Sequence, residues 1–207
     1  MRRARIPIYV LVAVYMPAFS LLALTQGNQE FLFYALAMLV IIVGIWLLDR
    51  RVHFSTGVLW LLAVWGLVHM AGGTVPPPTG DARVLYSWRP FPEFLKYDQV
   101  VHAYGFFAAT FACAECLRAA FPREKPVRIS FGLGIGLMLM GMGLGALNEV
   151  IEFTATRLFA NTNVGGYDNT GWDLVSNLVG AASAAALLVI RDKASPTPRD
   201  DDPPPAA

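Results

Sequence analysis

The fold is organised around residues 148–177, which read NEVIEFTATRLFANTNVGGYDNTGWDLVSN. This stretch joins the last two apolar segments of a very apolar chain. It carries four carboxylates, on Glu149, Glu152, Asp168 and Asp173. Carboxylates are costly at membrane depth, and there they mark functional sites more often than elsewhere. The stretch therefore indicates where a site lies and says less about what the site does.

The whole chain has the composition of a membrane protein. Of its 207 residues, 56% are hydrophobic and 15% are charged, which is more apolar surface than a soluble domain of this length can bury. Membrane lipids are therefore its expected surroundings. The net charge of +1 gives no argument for a nucleic-acid partner, so none is expected. Cys113 and Cys116 lie within one apolar segment and argue against a disulfide framework.

Six segments have the length and apolar character to cross a bilayer, which takes about 20 residues. The expected spans are residues 6–24, 31–48, 55–71, 97–118, 129–150 and 171–190. They predict an all-α integral membrane protein, a bundle of six transmembrane helices within residues 1–191. The remaining residues, 192–207, are rich in proline and aspartate and predict a disordered cytoplasmic tail.

The distribution of arginine and lysine predicts the orientation of this bundle. With six spans, most basic residues fall on one side: those of the amino terminus, of the links at 49–54 and 118–128, and of the end of the last span. Short cytoplasmic segments carry an excess of basic residues. Both termini are therefore expected in the cytoplasm.

The fifth span is rich in glycine. Gly132 and Gly136 form one small-xxx-small pair, and Gly141 and Gly145 form another. Glycine lets neighbouring membrane helices approach closely. We interpret these glycines as packing residues and expect this helix at the centre of the bundle.

Polar residues of four spans are expected to meet in one layer near the external side. They are His69, Asp98, His102, Glu149, Glu152, Asp173 and Asn177. The residues that share a helix are three or four positions apart, so they lie on one helix face. Such pairs on facing helices build metal and cofactor sites in helical bundles.

Several of these residues also have a structural explanation. Asp98 and Asp173 lie in the first turns of their expected helices, where the helix dipole favours an anion. Thr170 and Asp173 also fit a capping box. The two glutamates differ, because they lie at the carboxyl end of the fifth span, where the dipole opposes a negative charge. Neighbouring carboxylates need a cation, a shared proton or water.

The combination of carboxylates and imidazoles suits a divalent metal ion, Zn, Mn or Fe, better than Ca. The expected metal ligands are His69, His102, Glu149 and Glu152. The expected catalytic residues are Asp98, Asp173 and Asn177, with Asp168 as a further site residue in the glycine-rich loop.

Three segments resemble a known family. KYDQVVHAYGFF (96–107), NEVIEF (148–153) and GYDNTGWDLVSNLVGA (166–181) are similar to YjdF-type bacterial inner-membrane proteins. A fainter similarity links them to VanZ-like membrane proteins, which are associated with glycopeptide-antibiotic tolerance. The resemblance implies a multi-pass protein of the bacterial cytoplasmic (inner) membrane and supplies no substrate. The resemblance implies functional roles for eight residues: His69, Asp98, His102, Glu149, Glu152, Asp168, Asp173 and Asn177.

Three functional hypotheses follow. The first is a metal-assisted hydrolase or transferase that acts on a lipid or lipid-linked substrate at the outer leaflet. The second is a proton- or cation-coupled transporter, ranked lower because the acids cluster at one face and leave no polar path through the bilayer. The third is a non-catalytic factor that binds a partner through the loop at 72–96. The chain has no HExxH, P-loop or GxSxG motif that would decide among them.

Overall fold

A computed structural model describes residues 2–80, 82–90, 95–122 and 127–194. These residues form α-helices and no β-strand. The helices are α1 (Arg2–Thr25), α2 (Gln29–Val52), α3 (Thr56–Gly72), α4 (Tyr97–Ala119), α5 (Phe131–Leu158) and α6 (Tyr167–Ala194). A short 3₁₀ turn, Leu85–Ser87, lies in the connection between α3 and α4.

The predicted all-α membrane fold with six helices is confirmed. Five of the helices are long and apolar enough to cross a membrane, and α3 is a shorter apolar helix of 17 residues. That length is at the lower end of the range for spanning helices. Residues 192–194 of the predicted disordered tail continue α6, so the prediction is wrong for them. Residues 195–207 of that tail lie outside the described residues, as do residues 123–126 of the basic link at 118–128.

Side-chain caps explain where several helices begin. Asn28, Ser55 and Ser130 each accept a hydrogen bond from the backbone N–H three residues later, at the starts of α2, α3 and α5. Such caps satisfy backbone donors that have no partner within the helix. The α2 helix ends at its C-cap residue His53, whose backbone is in the left-handed conformation and begins the turn to α3. The two short turns fold α1, α2 and α3 back on one another.

The centre of the bundle is formed by α4 and α6. Within the 18 most apolar consecutive residues of each helix, 44% are buried in α4 and in α6, and 22% are buried in α5. The two helices approach so closely that a Cβ added to Gly180 would collide with the carbonyl oxygen of Ala103. The expectation that α5 is the central helix is therefore wrong.

The glycines of α5 divide between two faces. A Cβ added at Gly132 or Gly136 would meet no atom within 4 Å. At Gly141 it would meet Thr110 and Ala181, and at Gly145 it would meet Asn177. The second small-xxx-small pair is thus a packing pair, as predicted, whereas the first lies on an open face. A glycine pattern indicates helix approach, but it does not distinguish a helix at the centre from one at the edge.

The two ends of the bundle differ in how their charges are arranged. At the end that holds the α2–α3 and α4–α5 connections, which we call the basic end, arginines pair with acids. Arg5 Nη1 lies 2.7 Å from Asp49 Oδ2, and Arg118 Nη2 lies 2.7 Å from Asp192 Oδ2. At the opposite end, the acidic end, carboxylates gather without arginine among the described contacts.

The connections at the acidic end are held to the helices by hydrogen bonds. Asn28 Nδ2 donates to the carbonyl of Gly73 over 3.0 Å. The buried Glu30 accepts two bonds with its Oε2, from the backbone N and the Nδ2 of Asn163, at 2.7 and 2.8 Å. Glu30 thereby connects α2 to the loop that leads into α6.

Candidate metal site

Four side chains from three helices converge at the acidic end. His102 of α4, Glu149 and Glu152 of α5 and Asp173 of α6 each offer a ligand atom, and these atoms all lie within 4.8 Å of one another. Glu149 Oε1 is 3.5 Å from His102 Nδ1, and Glu152 Oε1 is 3.4 Å from its Nε2. Two ligands of one tetrahedral zinc ion lie about 3.4 Å apart, because each bond is about 2.1 Å long. The most widely separated of the four atoms would therefore have to approach by about 1.4 Å to share one coordination sphere.

This convergence confirms part of the geometric prediction from the sequence, because it joins residues of α4, α5 and α6 but does not include His69 of α3. The two glutamates face His102 and are turned away from the lipid. Because α5 has 28 residues, it is about 42 Å long and exceeds the hydrocarbon core of about 30 Å. Glu152 lies six residues from its end, about 9 Å along the axis. If α5 is centred on the core, about 6 Å of helix extends beyond it at each end, and Glu152 then lies near the boundary of the core.

Burial leaves two of the carboxylate oxygens without a hydrogen bond. His102 is 4% exposed, Glu149 9% and Asp173 0%. Glu149 Oε1 and Asp173 Oδ1 are buried and accept no hydrogen bond from the described residues. A buried polar atom without a partner is destabilising by about 1–3 kcal/mol. A bound cation would supply both oxygens with a partner.

Negative charge is in excess around His102. Besides the three acids of the group, Asp98 Oδ1 lies 3.5 Å from His102 Nε2. Lys96 is close by, but its Nζ donates to the amide oxygen of Asn169. Carboxylates so close together need a cation or a shared proton to be stable. The arrangement therefore calls for a bound cation or for protons held between the carboxylates.

His102 is oriented by Asn177. Its Nδ1 lies 3.0 Å from Asn177 Oδ1, and Asn177 is fully buried. When Nδ1 carries the proton, it donates to that oxygen and leaves the Nε2 lone pair toward Glu152 and Asp98. Metal-ligating histidines commonly donate their second ring N–H in this way. Gly145 makes room for the amide, because a Cβ there would lie 2.7 Å from Asn177 Nδ2.

Two asparagines that the sequence analysis missed hold the acids in place. Asn169 Nδ2 lies 2.5 Å from Asp173 Oδ2 and 3.2 Å from Asp98 Oδ2. Asn148 Nδ2 donates to Glu152 Oε1 over 2.8 Å. Asn169 lies four residues before Asp173, and Asn148 lies four residues before Glu152. This helical spacing was the signal that could have identified both asparagines.

The start of α6 changes the interpretation of Asp173. The helix begins at Tyr167, four residues before the predicted span, and its first-turn acid is Asp168. Asp173 lies six residues after this start and therefore does not cap the helix, so the capping explanation is wrong. Asp98 does lie in the first turn of α4, and its interaction with the helix dipole remains.

The end of α5 changes the interpretation of its glutamates. The helix continues to Leu158, beyond both Glu149 and Glu152. The dipole effect is confined to the last turn of a helix. With the helix ending at Leu158 instead of the predicted residue 150, the dipole opposes the charges of the two glutamates less than expected.

Asp168 and His69 are not members of the group of four, although His69 lines a small cavity together with Glu152. Asp168 is exposed at the start of α6. His69 is buried among aromatic rings, and its Nδ1 lies 2.5 Å from the hydroxyl of Tyr86. Burial raises the pKa of Tyr86 well above its usual range, so the hydroxyl stays protonated and donates to His69. Of the expected ligands, His102, Glu149 and Glu152 belong to the group, and His69 does not.

Comparison with known proteins gives one family match. Residues 7–194 match the family described as "Predicted membrane protein (DUF2238)", which is the family of the YjdF-type proteins that three segments resemble. No curated protein and no solved structure shows a match to the chain. The match covers nearly all of the membrane domain, and its description names no reaction.

Proposed function

The chain belongs to the DUF2238 family of predicted membrane proteins, and from this premise we propose that it is a metal-dependent hydrolase or transferase embedded in the membrane. The proposed substrate is a lipid or lipid-linked molecule in the outer leaflet of the bacterial cytoplasmic membrane. The acidic end faces outward in this proposal, because the arginine-rich end is expected in the cytoplasm.

One observation carries the proposal: the four ligand atoms that three helices bring within 4.8 Å of one another. The buried oxygens of Glu149 and Asp173 that lack hydrogen bonds support it. A ligand set of one imidazole and three carboxylates suits Zn, Mn or Fe. Such an ion supplies a nucleophile at neutral pH by acidifying a bound water.

The surrounding residues have distinct roles in this proposal. Asn177 positions the imidazole of His102, and Asn148 and Asn169 position carboxylates. Asp98 contacts His102 at 3.5 Å but is not among the four close ligands. It is therefore the acid best placed to take up or donate a proton during the reaction.

Transport and a purely structural role are less well supported. The acids and the imidazole of the group lie at one end of α4, α5 and α6, where a reaction at the membrane surface needs them. A purely structural role leaves the buried oxygens of Glu149 and Asp173 without a partner among the described residues, and a metal ion would supply one.

The experiment is metal analysis of the purified protein. We expect about one Zn, Mn or Fe ion per chain in the wild type, and far less in the Glu149→Gln and His102→Ala variants. The matched control is Asp168→Asn, which removes one charge from an exposed acid of α6 and should leave the metal content unchanged.

The enzymatic part needs its own measurement. The loaded protein is incubated with a lipid extract of bacterial inner membrane, and the products are identified by mass spectrometry. We expect a product that wild type forms and Asp98→Asn does not. A wild-type protein that binds none of the three metals, even after loading, would overturn the proposal. Tight binding without any product would favour a carrier.

A further inference from the structure

An apolar groove lies between α1, α2 and α3, in the half of these helices nearest the basic end. Its volume is about 330 Å³, which is within the range of pockets that bind small molecules. Its lining residues fall within 8–15 of α1, 38–49 of α2 and 59–65 of α3. Val43 is 46% exposed and Trp46 52%, so the groove is open to the surrounding lipid.

The length of the groove matches one leaflet of a membrane. On α2 the lining runs from Met38 to Asp49, about 17 Å along the axis. The hydrocarbon core is about 30 Å thick, so one leaflet supplies about 15 Å of it. Every lining side chain except Asp49 is aliphatic or aromatic. The groove therefore suits one hydrocarbon chain from the leaflet at the basic end.

Aromatic side chains and an arginine stand at the basic mouth of the groove. Tyr9 of α1 and Trp46 of α2 line it there, and such residues are enriched where a membrane meets water. Arg50 follows Trp46 by one helical turn, and its Cζ lies 4.0 Å from the centroid of the indole ring. A cation–π contact holds a guanidinium without using its N–H donors. These donors therefore remain for a ligand at the mouth.

Positive charge is in excess at this mouth. Arg3 at the start of α1 and Arg50 and Arg51 at the end of α2 are exposed. The one acid of the lining, Asp49, is paired with Arg5, whose Nη1 lies 2.7 Å from its Oδ2. The salt bridges of the described residues do not include Arg50. The mouth therefore complements a negatively charged group.

An anionic phospholipid satisfies both halves of the site. Guanidinium groups bind phosphate oxygens through charge-assisted hydrogen bonds, often two at a time. Basic pockets between membrane helices bind anionic lipid head groups in this way. A zwitterionic head group carries the same phosphate, but its own positive charge is repelled by the arginines. The charge at the mouth thus predicts a preference between lipids whose hydrocarbon chains are identical.

We propose that this groove binds one anionic phospholipid of the leaflet at the basic end, with an acyl chain in the groove and the phosphate at Arg50. With the basic end in the cytoplasm, this is the cytoplasmic leaflet. The inference goes beyond the proposed function and does not depend on it, because no residue of the candidate metal site lines the groove. The rival occupants are ordinary lipid of any head group and a second copy of the chain.

The test is native mass spectrometry of the delipidated protein in detergent. It is titrated with phosphatidylglycerol, which is anionic, or with phosphatidylcholine, which is zwitterionic, both with the same acyl chains. We expect one bound phosphatidylglycerol with a Kd about tenfold lower than that of phosphatidylcholine, which corresponds to about 1.4 kcal/mol. Equal affinities would overturn the inference. So would a protein dimer that forms in place of the lipid complex.

Arg50→Gln tests the contact with the head group. The Kd for phosphatidylglycerol should rise about fivefold, which corresponds to about 1 kcal/mol for one arginine near anionic lipid, and that for phosphatidylcholine should not change. The matched control is Lys193→Gln, which removes an exposed positive charge near the end of α6, a helix that does not line the groove. Equal weakening by both changes would contradict a site at Arg50, because the general charge of the basic end would then explain the preference.

Ala13→Phe tests the binding of the acyl chain. Ala13 lines the groove from an exposed position, so the larger ring fills the groove without entering the core. The affinity for phosphatidylglycerol should fall about tenfold. Ala186→Phe is the control, since Ala186 lines a second apolar groove, of about 270 Å³ between α5 and α6, which shares no residue with the first. Its affinity should equal that of the wild type, and equal loss from both variants would argue against the proposed groove.

A measurement on the wild type alone covers the case in which a variant does not fold. Phosphatidylglycerol with a photoreactive diazirine at the end of its acyl chain is reconstituted with the protein and irradiated. We expect labelled peptides from α1, α2 and α3, and loss of the label when unlabelled phosphatidylglycerol, but not phosphatidylcholine, is added in excess. Labelling that is spread evenly over the lipid-facing helices would refute the inference.

Discussion

Two buried amides determine how the charged groups of the candidate site are arranged. Asn177 contacts the Nδ1 of His102, and Asn169 contacts Asp98 and Asp173 while it accepts a hydrogen bond from Lys96. Asn169 thus joins the positive charge of the lysine to two acids that the lysine does not contact directly. An amide can do this because it both donates and accepts.

Asn177→Ala tests the role of the amide that orients His102. Without it, the imidazole can rotate away from the metal-binding position. We expect the dissociation constant for Zn to rise about 10–100-fold, as is usual when a partner of a metal ligand is removed. Competition with a chelating dye in detergent measures it.

The control for this prediction is Ser176→Ala on the same helix. Its hydroxyl donates to the backbone carbonyl of Trp172 over 2.8 Å and does not contact the site. Its dissociation constant should equal that of the wild type. An unchanged value in Asn177→Ala as well would mean that the amide does not position the imidazole.

At the level of helices, the close approach of α4 and α6 holds the site together. His102 is on one of these helices, and Asp173 and Asn177 are on the other. Gly180 lies about one turn beyond Asn177, where any side chain would meet the backbone of α4. The distance between the ligands therefore depends on a residue that has no polar group.

Gly180→Ala is expected to destabilise the protein by about 1–3 kcal/mol, because the added methyl group forces the two helices apart. The thermal unfolding midpoint in detergent should fall accordingly. Gly136→Ala is the matched control, since its added Cβ meets no atom within 4 Å. The prediction fails if both variants unfold at the wild-type temperature.

For the molecule as a whole, the contrast between its ends defines a direction across the membrane. The basic end pairs arginines with Asp49 and Asp192, and the acidic end holds the candidate site. The excess of basic residues predicts that the basic end faces the cytoplasm.

Cysteine labelling in intact cells tests this orientation. In a background with Cys113→Ala and Cys116→Ala, one cysteine is introduced at a time, at Asn161 between α5 and α6 or at Phe121 between α4 and α5. Both positions are exposed. A membrane-impermeant maleimide should modify Asn161→Cys in intact cells and Phe121→Cys only after permeabilisation. The reverse pattern would turn the site toward the cytoplasm.

The sequence predicted the helices and the convergence of His102, Glu149, Glu152 and Asp173, because apolar length and helical spacing are local properties. It did not predict that α6 begins at Tyr167, since the glycines at 165, 166 and 171 all resemble loop residues. It also did not separate His69 from the ligands. His69 instead contacts the hydroxyl of Tyr86, which lies in the irregular connection that follows α3.

The carboxylates of α5 also constrain how the protein is made. A helix that carries Glu149 and Glu152 is a poor candidate for entering the bilayer alone, since a charged residue at the centre of a membrane helix costs about 2.5–3.5 kcal/mol on insertion scales. The chain is synthesised from its amino terminus, so His102 has already left the ribosome when the two glutamates emerge. The imidazole that contacts both glutamates in the folded protein is thus already synthesised when these acids emerge.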